Sequence, residues 1–350
     1  MKIIKVSASK SYDVFIGTNI LDRAGDVLRR ACGGQTAAVI TDGNVDALYA
    51  PRLEESLMKS GYRTVKYVFA HGEASKTPGE LLSILDFLAE KGLGRADTVA
   101  ALGGGVAGDL AGFAAACYMR GIHFAQFPTT LLAAVDSSVG GKTGVNLSAG
   151  KNLAGAFYQP DAVLCDVSLF ATLPADIFRD GCAEVIKCAV IADHGLFYSL
   201  EDPIQPRLEE ITARCVEIKS GIVARDERET GTRKLLNFGH TVGHAIEFLS
   251  GYKMPHGHAV AAGMAIETRM AVNLGICGEE CLRGILAMLR RYGLPESTSR
   301  SADEIACACL RDKKRIGDAI TMAFPEEIGK CALLDIPIGE LEPLLGRSLS

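Results

Sequence analysis

The stretch TVAALGGGVAGD, residues 98–109, decides the fold of the first half of the chain. Its apolar start predicts a strand, and the glycines lead into a predicted helix. Gly103, Gly105 and Gly108 satisfy the pattern G-x-G-x-x-G, in which glycine lets a ligand approach the backbone and the helix N-terminus presents free N–H groups to a pyrophosphate. We therefore expect a nucleotide-binding turn, although a purely structural turn is the alternative.

The segments around this turn alternate between strand and helix. Residues 37–41 and 64–69 predict strands, whereas residues 51–60, with Pro51 in the first turn, and residues 77–91 predict helices. Alternation of this kind indicates a parallel sheet covered by helices.

One part of the dinucleotide-binding fingerprint is missing. The acidic residue expected about 20 positions after the glycines does not occur, since residues 121–135 contain no acid. Asp42, at a predicted strand end, and Glu73 with Lys76 are the alternative candidates for contacts to ribose and phosphate.

The second half of the chain is dominated by helical periodicity. The predicted helices are residues 177–191, 208–224, 240–249, 259–274 and 279–292. The change in pattern falls near Thr172 to Pro174. We therefore predict two domains: residues 1–174 as an α/β nucleotide-binding domain with a parallel sheet, and residues 175–350 as an all-α domain.

Composition narrows the class of protein. The 350 residues carry a formal net charge of -5 and no basic tract, which argues against a nucleic-acid partner. No apolar run approaches the roughly 18 to 20 residues that span a bilayer, and the N-terminus does not read as a signal peptide. We therefore expect a cytoplasmic protein. The 11 cysteines are odd in number and scattered, so we expect reduced thiols and no disulfide framework.

A second glycine-rich stretch is DSSVGGKT, residues 136–143. It ends like a Walker A loop, but Asp136 stands where that motif needs its first glycine, so we reject a P-loop. Lys142 in glycine-rich backbone, with Lys151 and Asn152 nearby in sequence, is compatible with a phosphate site. A surface turn with solvated lysines explains the stretch equally well.

Histidines cluster in the second half. Four of the seven, His240, His244, His256 and His258, fall within 19 positions, and His240 and His244 share one helix face. Glu184 adds a carboxylate on a mostly apolar predicted helix. Two imidazoles and a carboxylate are typical of a catalytic zinc site, which the clustering favours over satisfied core histidines. The thermolysin motif is excluded, because it needs an acid directly after the first histidine.

Taken together these motifs resemble the 3-dehydroquinate synthases. The matching stretches are GGGVAGDLAGF (103–113), YMRG (118–121), FPTTLLAAVDSSVGGKTGVN (127–146), GKNLAGAFYQP (150–160), AEVIK (183–187) and NFGHTVGHAIE (237–247). The resemblance implies a homodimer that uses NAD and one divalent metal, zinc or cobalt. It implies an anionic sugar acid phosphate substrate, 3-deoxy-D-arabino-heptulosonate 7-phosphate. Phosphate would be eliminated after transient oxidation by NAD, and re-reduction and an intramolecular aldol step would yield 3-dehydroquinate.

The resemblance also implies roles for individual residues. The metal ligands would be Glu184, His240 and His256. The NAD contacts would be Asp42, Glu73, Lys76, Gly104, Gly105, Asp109, Thr129, Thr130 and Thr172, with Lys142 and Lys151 close by. The substrate contacts would be Asp136, Lys142, Lys151, Asn152, Lys187, Lys219, Glu229, Arg233, Asn237, His244, a lysine in the stretch 312–314, and Arg120 from the neighbouring subunit. Catalytic roles would fall on Lys142, Lys187, Glu229, Asn237 and His244, with His244 handling protons.

Physical chemistry supports the substrate set independently. Its lysines suit a phosphate as point charges, and Arg233 can grip a carboxylate in bidentate fashion. The chain departs from the family at His258, where glutamate is common, and we predict that His258 is not a metal ligand. The alternatives are another sugar phosphate cyclase, a glycerol-type metal-dependent dehydrogenase, and a non-catalytic protein that binds metal and nucleotide.

Overall fold

The computed structural model describes residues 1–310, 315–316 and 318–349, and the chain divides into two compact units, Met1–Leu173 and Pro174–Ser350. The strands of the first unit are β1 (Lys2–Ser7), β2 (Ser11–Gly17), β3 (Thr36–Asp42), β4 (Arg63–Phe69), β5 (Thr98–Gly103), β6 (His123–Pro128), β7 (Lys142–Leu147), β8 (Gly150–Phe157) and β9 (Ala162–Asp166). Its helices are α1 (Ala24–Ala31), α2 (Gly43–Lys59), α3 (Pro78–Glu90) and α4 (Gly105–Cys117).

Seven strands form one sheet in the order β1-β2-β9-β6-β5-β3-β4. Only the pair β1 and β2 is antiparallel, and the other neighbours pair in parallel. Strands β4 and β5 lie on opposite sides of β3, so the chain reverses direction across the sheet between β3 and β5. Parallel α/β sheets bind ligands at such a switch point, outside the carboxyl ends of the strands.

Helices cover both faces of this sheet, because alternate strand residues point to opposite faces. Val39 packs into a cluster with α1 and α2, whereas the next residue, Ile40, packs into a cluster with α3 and α4. The predicted parallel sheet with helical layers is confirmed. Strands β7 and β8 form a separate antiparallel hairpin.

One predicted helix begins earlier than expected. Residues 51–60 were expected to form it, with Pro51 in the first turn, but α2 starts at Gly43 and Pro51 lies inside it. The Asp42 side chain accepts hydrogen bonds from the N–H groups of Asn44 and Val45, which fixes the start. Proline inside a helix removes one N–H donor and crowds the preceding turn, yet the helix continues through Pro51.

The second unit is helical, as predicted. Its helices are α5 (Ala175–Ala192), α6 (His194–Ser199), α7 (Leu208–Arg225), α8 (His240–Leu249), α9 (His256–Asn273), α10 (Glu279–Arg291), α11 (Ala302–Cys309) and α12 (Ile338–Ser348). It is not purely α, since β10 (Arg315–Ile316), β11 (Ala319–Glu327) and β12 (Lys330–Pro337) form a small antiparallel sheet. Among the helices described, none has the length and apolar character needed to cross a bilayer.

Candidate functional site

The glycine turn lies at the carboxyl end of β5. Gly103 ends the strand, Gly104 precedes α4, and Gly105 begins that helix, so the predicted strand, turn and helix are confirmed. A Cβ on Gly103 would lie 2.6 Å from the Cβ of Ala107, and one on Gly108 would lie 2.6 Å from Oε1 of Gln126. Only glycine therefore allows α4 to start so close to the sheet, and its N-terminus opens at the switch point.

Three further predicted cofactor residues surround this turn. Asp42 ends the neighbouring strand, and its Oδ2 lies 3.6 Å from the position that a Cβ of Gly103 would take. The N–H of Thr129 donates to the Gly103 carbonyl at 2.9 Å. Thr130 stands beside Gly104, since its Cγ2 would be 3.1 Å from a Cβ there. The structure thus brings Asp42, Thr129 and Thr130 to one edge of the sheet.

A second group of predicted residues is held by the buried lysine Lys76, which is 4% exposed. Its Nζ donates to Oδ2 of Asp109 and, at 2.5 Å, to Oδ1 of Asn152. Glu73 lies three residues earlier, and its Oε1 is 3.6 Å from Nζ of Lys151. Residues from α4, from the hairpin β7–β8 and from the segment before α3 therefore meet here.

The remaining predicted residues of the first unit lie on other segments of the chain. Lys142 opens β7 and shares that hairpin with Lys151 and Asn152, whereas Asp136 lies in the π-helical turn Ala133–Ser137. The Thr172 hydroxyl lies 2.5 Å from the hydroxyl of Tyr49 and donates to the Leu169 carbonyl.

Arg120 lies in an exposed turn between α4 and β6. Its φ is 67° and that of Met119 is 49°, so two consecutive side-chain-bearing residues adopt the left-handed region. Such conformations cost about 1–2 kcal/mol per residue and concentrate at functional sites.

In the second unit, a carboxylate and two imidazoles meet at the spacing of metal ligands. Oε1 of Glu184, on α5, lies 3.4 Å from Nε2 of His240 and 3.5 Å from Nε2 of His256. Two ligand atoms bound to a tetrahedral zinc at about 2.0–2.2 Å lie about 3.4 Å apart. Both distances from Glu184 therefore match those between two ligands of one divalent ion, and a ring nitrogen of His240 lies within 4.8 Å of one of His256.

The other ring nitrogens of these histidines are also oriented. Nδ1 of His240 faces the Phe238 carbonyl at 3.2 Å, and Nδ1 of His256 faces Oε2 of Glu247 at 3.4 Å. A partner on Nδ1 fixes the tautomer in which Nε2 carries the lone pair for a metal.

The electrostatics of this place favour a cation. Burial alone would lower the pKa of His256, but its hydrogen bonds to Glu184 and Glu247 outweigh burial and raise that pKa to about 10. Lys187, on the same face of α5, is buried and forms an ion pair with Oε2 of Glu184. Two buried carboxylates thus attract positive charge to the point where the imidazoles converge.

The two other histidines differ in their surroundings. A donor nitrogen of His244 lies within 4.8 Å of those of His240 and His256, so its ring borders the same point. His258 instead contacts Asp180, with Nδ1 at 3.3 Å from Oδ1.

Two buried glutamates complete the site, and neither had a role predicted from the sequence. Glu247 orients His256, as described above. Glu267, on α9, is fully buried and accepts the N–H groups of Gly239 at 2.6 Å and Val242 at 3.0 Å. It thereby caps α8, whose first residue is His240. The signal in the sequence was an acidic residue within an otherwise apolar helical stretch.

A loop ahead of α8 holds three predicted substrate residues. The backbone N–H of Arg233 donates to Oδ2 of Asp226 at 2.9 Å, and the Arg233 guanidinium, which is 1% exposed, donates to the Glu227 carbonyl. The Asn237 amide donates to Oε1 of Glu229 at 2.5 Å.

Lys219, on α7, is also a predicted substrate residue, and it is buried. The predicted lysine in the stretch 312–314 lies outside the described residues.

Comparison with protein families finds two matching family models. One, described as 3-dehydroquinate synthase N-terminal, matches residues 66–180, and one described as 3-dehydroquinate synthase C-terminal matches residues 181–315. A 3-dehydroquinate synthase of Enterococcus faecalis is 42% identical and covers 99% of both chains. One of Caldanaerobacter subterraneus is 44% identical over 96% of this chain and 97% of its own.

Solved structures show the same fold. A 2-epi-5-epi-valiolone synthase from Streptomyces hygroscopicus, with NAD+ and Zn2+ bound, has a TM-score of 0.85 and 28% identity, and 98% of each chain is covered. A 2-deoxy-scyllo-inosose synthase has a TM-score of 0.90 at 24% identity, over 99% of this chain and 100% of that one. These likenesses confirm the predicted fold class.

Proposed function

The chain belongs to the 3-dehydroquinate synthase family, and from this premise we propose how its residues divide the work of the reaction. It is an NAD- and metal-dependent lyase of the shikimate pathway that converts 3-deoxy-D-arabino-heptulosonate 7-phosphate into 3-dehydroquinate and phosphate. The observation that carries the assignment of its site is the ligand spacing of 3.4 and 3.5 Å around Oε1 of Glu184.

We assign the metal to Glu184, His240 and His256. A zinc or cobalt ion held there would supply Lewis-acid chemistry, polarising the sugar oxygens and acidifying a hydroxyl. His244 borders the ligands, and this position supports its role as the group that moves protons at the sugar. Lys187 balances the carboxylate charge of Glu184 and can direct its ammonium to an anionic substrate group.

We assign NAD to the N-terminal domain, residues 1–174 as predicted from the sequence. When bound there, the cofactor supplies hydride acceptance followed by hydride return. The turn at Gly104 and Gly105 would take the pyrophosphate, and Asp42 would accept ribose hydroxyls. The other proposed contacts are Glu73, Lys76, Asp109, Thr129, Thr130, Thr172, Lys142 and Lys151.

We assign the two anionic ends of the substrate to different cation types. Lysines suit the phosphate, and Lys142 and Lys151 share one hairpin with Asn152. Arg233 suits the carboxylate, since its backbone is pinned by Asp226. The pair of Glu229 and Asn237 would orient substrate hydroxyls. The remaining proposed contacts are Asp136, Lys187, Lys219 and His244.

Quaternary state and location are further parts of the proposal. We propose a homodimer in the cytoplasm, in which Arg120 of each chain serves the neighbouring subunit. The left-handed backbone at Arg120, in an exposed turn, supports a functional reason for that conformation.

The test is release of inorganic phosphate by the zinc- or cobalt-loaded chain with NAD. We expect release from 3-deoxy-D-arabino-heptulosonate 7-phosphate, without net NADH, and none from sedoheptulose 7-phosphate or glucose 6-phosphate. Release from a neutral sugar phosphate alone would overturn the substrate. Net accumulation of NADH without phosphate would indicate a dehydrogenase.

The assignment of the metal ligands is tested by two variants. His256→Ala should lose both metal and phosphate release, whereas His258→Ala should retain the metal, because His258 contacts Asp180 instead. Full metal loss in His258→Ala would contradict the assignment.

A further inference from the structure

A second cluster of metal-ligand types lies in the first unit, away from the nucleotide turn. Cys32, His123 and Asp161 each offer a ligand atom, and these atoms all lie within 4.8 Å of one another. Cys32 follows α1, His123 is the first residue of β6, and Asp161 directly precedes β9. All three therefore lie at the amino-end edge of the parallel sheet, opposite the carboxyl ends where Gly104 opens. We propose that they form a second, structural site for a zinc-type divalent ion.

Burial and hydrogen bonds organise these three side chains. Cys32 is 4% exposed, and the Asp161 side chain is 7% exposed. Oδ2 of Asp161 accepts the N–H of Phe124 at 3.0 Å, and its Oδ1 lies 3.0 Å from Nδ1 of His123. The carboxylate is thus fixed between backbone and imidazole. The His123 side chain is 35% exposed, which leaves an approach for the ion and a place for a fourth, water ligand.

The chemistry of the set selects the ion. The thiolate and the imidazole select zinc or cobalt over magnesium or calcium, and the carboxylate is a ligand that zinc also accepts. Ligand atoms around a tetrahedral zinc lie about 3.4–3.8 Å apart, so atoms that lie within 4.8 Å of one another need to approach by at most about 1 Å. Binding replaces the thiol proton of Cys32 with the metal, since zinc binds cysteine as the thiolate.

A lysine competes with the ion for the carboxylate. Nζ of Lys10 lies 2.7 Å from Oδ1 of Asp161, and the Lys10 side chain is 41% exposed. This side chain belongs to the turn between β1 and β2 and is free to swing into solvent when a metal arrives. Removal of its charge should therefore strengthen metal binding, a sign opposite to that of removing a ligand.

The site ties together three segments that are distant in sequence. An ion held by residues 32, 123 and 161 would link the end of α1 to the starts of β6 and β9. An ion that binds the folded chain but not the unfolded chain would raise the stability of the first unit.

The experiment is a cobalt titration of the full chain. The family's metal set, Glu184 with two histidines, contains no sulfur, so a near-ultraviolet thiolate-to-cobalt charge-transfer band reports cobalt bound to a cysteine, and the Cys32 variant identifies which one. We expect two equivalents of Co2+ and this band in the wild-type chain. Cys32→Ala should lose the band and one equivalent and keep phosphate release. Lys10→Met should keep the band and lower the apparent Kd for Co2+ at this site several-fold.

Matched variants guard against misfolding and stray thiols. Cys165→Ala removes another buried thiol of the same unit, from β9, and should keep the band. His123→Gln alters the most exposed of the three ligands and should also lose the second equivalent of Co2+. It therefore tests the site even if Cys32→Ala fails to fold. The proposal is overturned if the wild type shows no band, if Cys32→Ala and His123→Gln both retain it, or if Cys165→Ala abolishes it. If no variant and not even the wild type released phosphate, the proposed reaction would be contradicted, whereas the proposal of the second metal site would not.

Discussion

At the scale of single residues, Glu247 shows how a metal site depends on groups that do not touch the metal. Its Oε2 lies 3.4 Å from Nδ1 of His256, so it fixes the ring that presents Nε2 to Glu184. We predict that Glu247→Gln weakens metal affinity by about 10–100-fold, because an amide orients and polarises the imidazole less than a carboxylate does.

The measurement is metal retention during dialysis against a graded chelator. The exposed Glu342 on α12 provides the matched control, and Glu342→Gln should retain metal like the wild type. Excess metal should restore phosphate release to Glu247→Gln. Unchanged retention would show that His256 needs no such partner.

Asp226 plays an analogous part for the substrate. Its carboxylate accepts the N–H groups of Thr230, Gly231 and Arg233 at 3.0, 2.7 and 2.9 Å. Burial would raise the pKa of Asp226, but these hydrogen bonds outweigh it and hold the pKa below its ordinary value. The lowered pKa means that the loop is stabilised above the pKa of the unfolded chain and loses this stabilisation as pH falls through the folded pKa.

We predict that Asp226→Asn raises the KM for substrate about tenfold, with a smaller change in kcat. The loss of a charged acceptor for three N–H groups is worth about 1.5–3 kcal/mol at most, and loosening the loop displaces Arg233. Steady-state phosphate release at neutral pH measures both constants. A fall in kcat at unchanged KM would place the role of this loop in the chemical steps instead.

At the scale of secondary-structure elements, α8 and α9 approach closely because glycines lie at their contact. Gly239 has a φ of 78°, and a Cβ there would lie 2.4 Å from Cγ of Met264. A Cβ on Gly263 would lie 2.0 Å from the Gly239 carbonyl oxygen. These two helices begin with the ligands His240 and His256, so their separation sets the ligand geometry.

We predict that Gly239→Ala lowers the free energy of unfolding by about 2–4 kcal/mol and reduces metal retention, from the left-handed φ and the clash together. Urea unfolding of the metal-free chain measures the first effect. Gly251→Ala is the control, since Gly251 has a φ of 65° but no atom within 4 Å of its Cβ position. Equal losses in the two variants would mean that the contact with Met264 contributes nothing.

The elements also show what the sequence could and could not predict. Periodicity predicted α7 and α8 nearly residue for residue, and the glycine pattern predicted the turn after β5. Strands β11 and β12 were not predicted, since their alternating residues follow a helical region and were assigned to no element. Glu247 and Glu267 escaped assignment because their partners are identified only by tertiary structure, and the partners of Glu267 are backbone N–H groups 25 and 28 residues away.

At the scale of the whole molecule, the proposed NAD contacts fall in the first unit and the proposed metal ligands in the second. We predict that chelator treatment abolishes phosphate release but changes the Kd for NAD less than about threefold. Equilibrium dialysis of NAD against the metal-free chain is the measurement, and added zinc or cobalt should restore turnover. Loss of NAD binding with the metal would show that the two ligands depend on each other.

At the turn formed by Met119 and Arg120, the residue that we propose serves activity costs folding stability. Glycine would adopt a φ of 67° without steric cost, and after its larger loss of chain entropy Arg120→Gly should raise the free energy of unfolding by up to about 1 kcal/mol. The same substitution removes the guanidinium that we propose serves the neighbouring active site, and turnover should fall. Selection for thermal stability alone would therefore drive this position away from arginine, and a stabilised variant obtained that way would be a poorer enzyme.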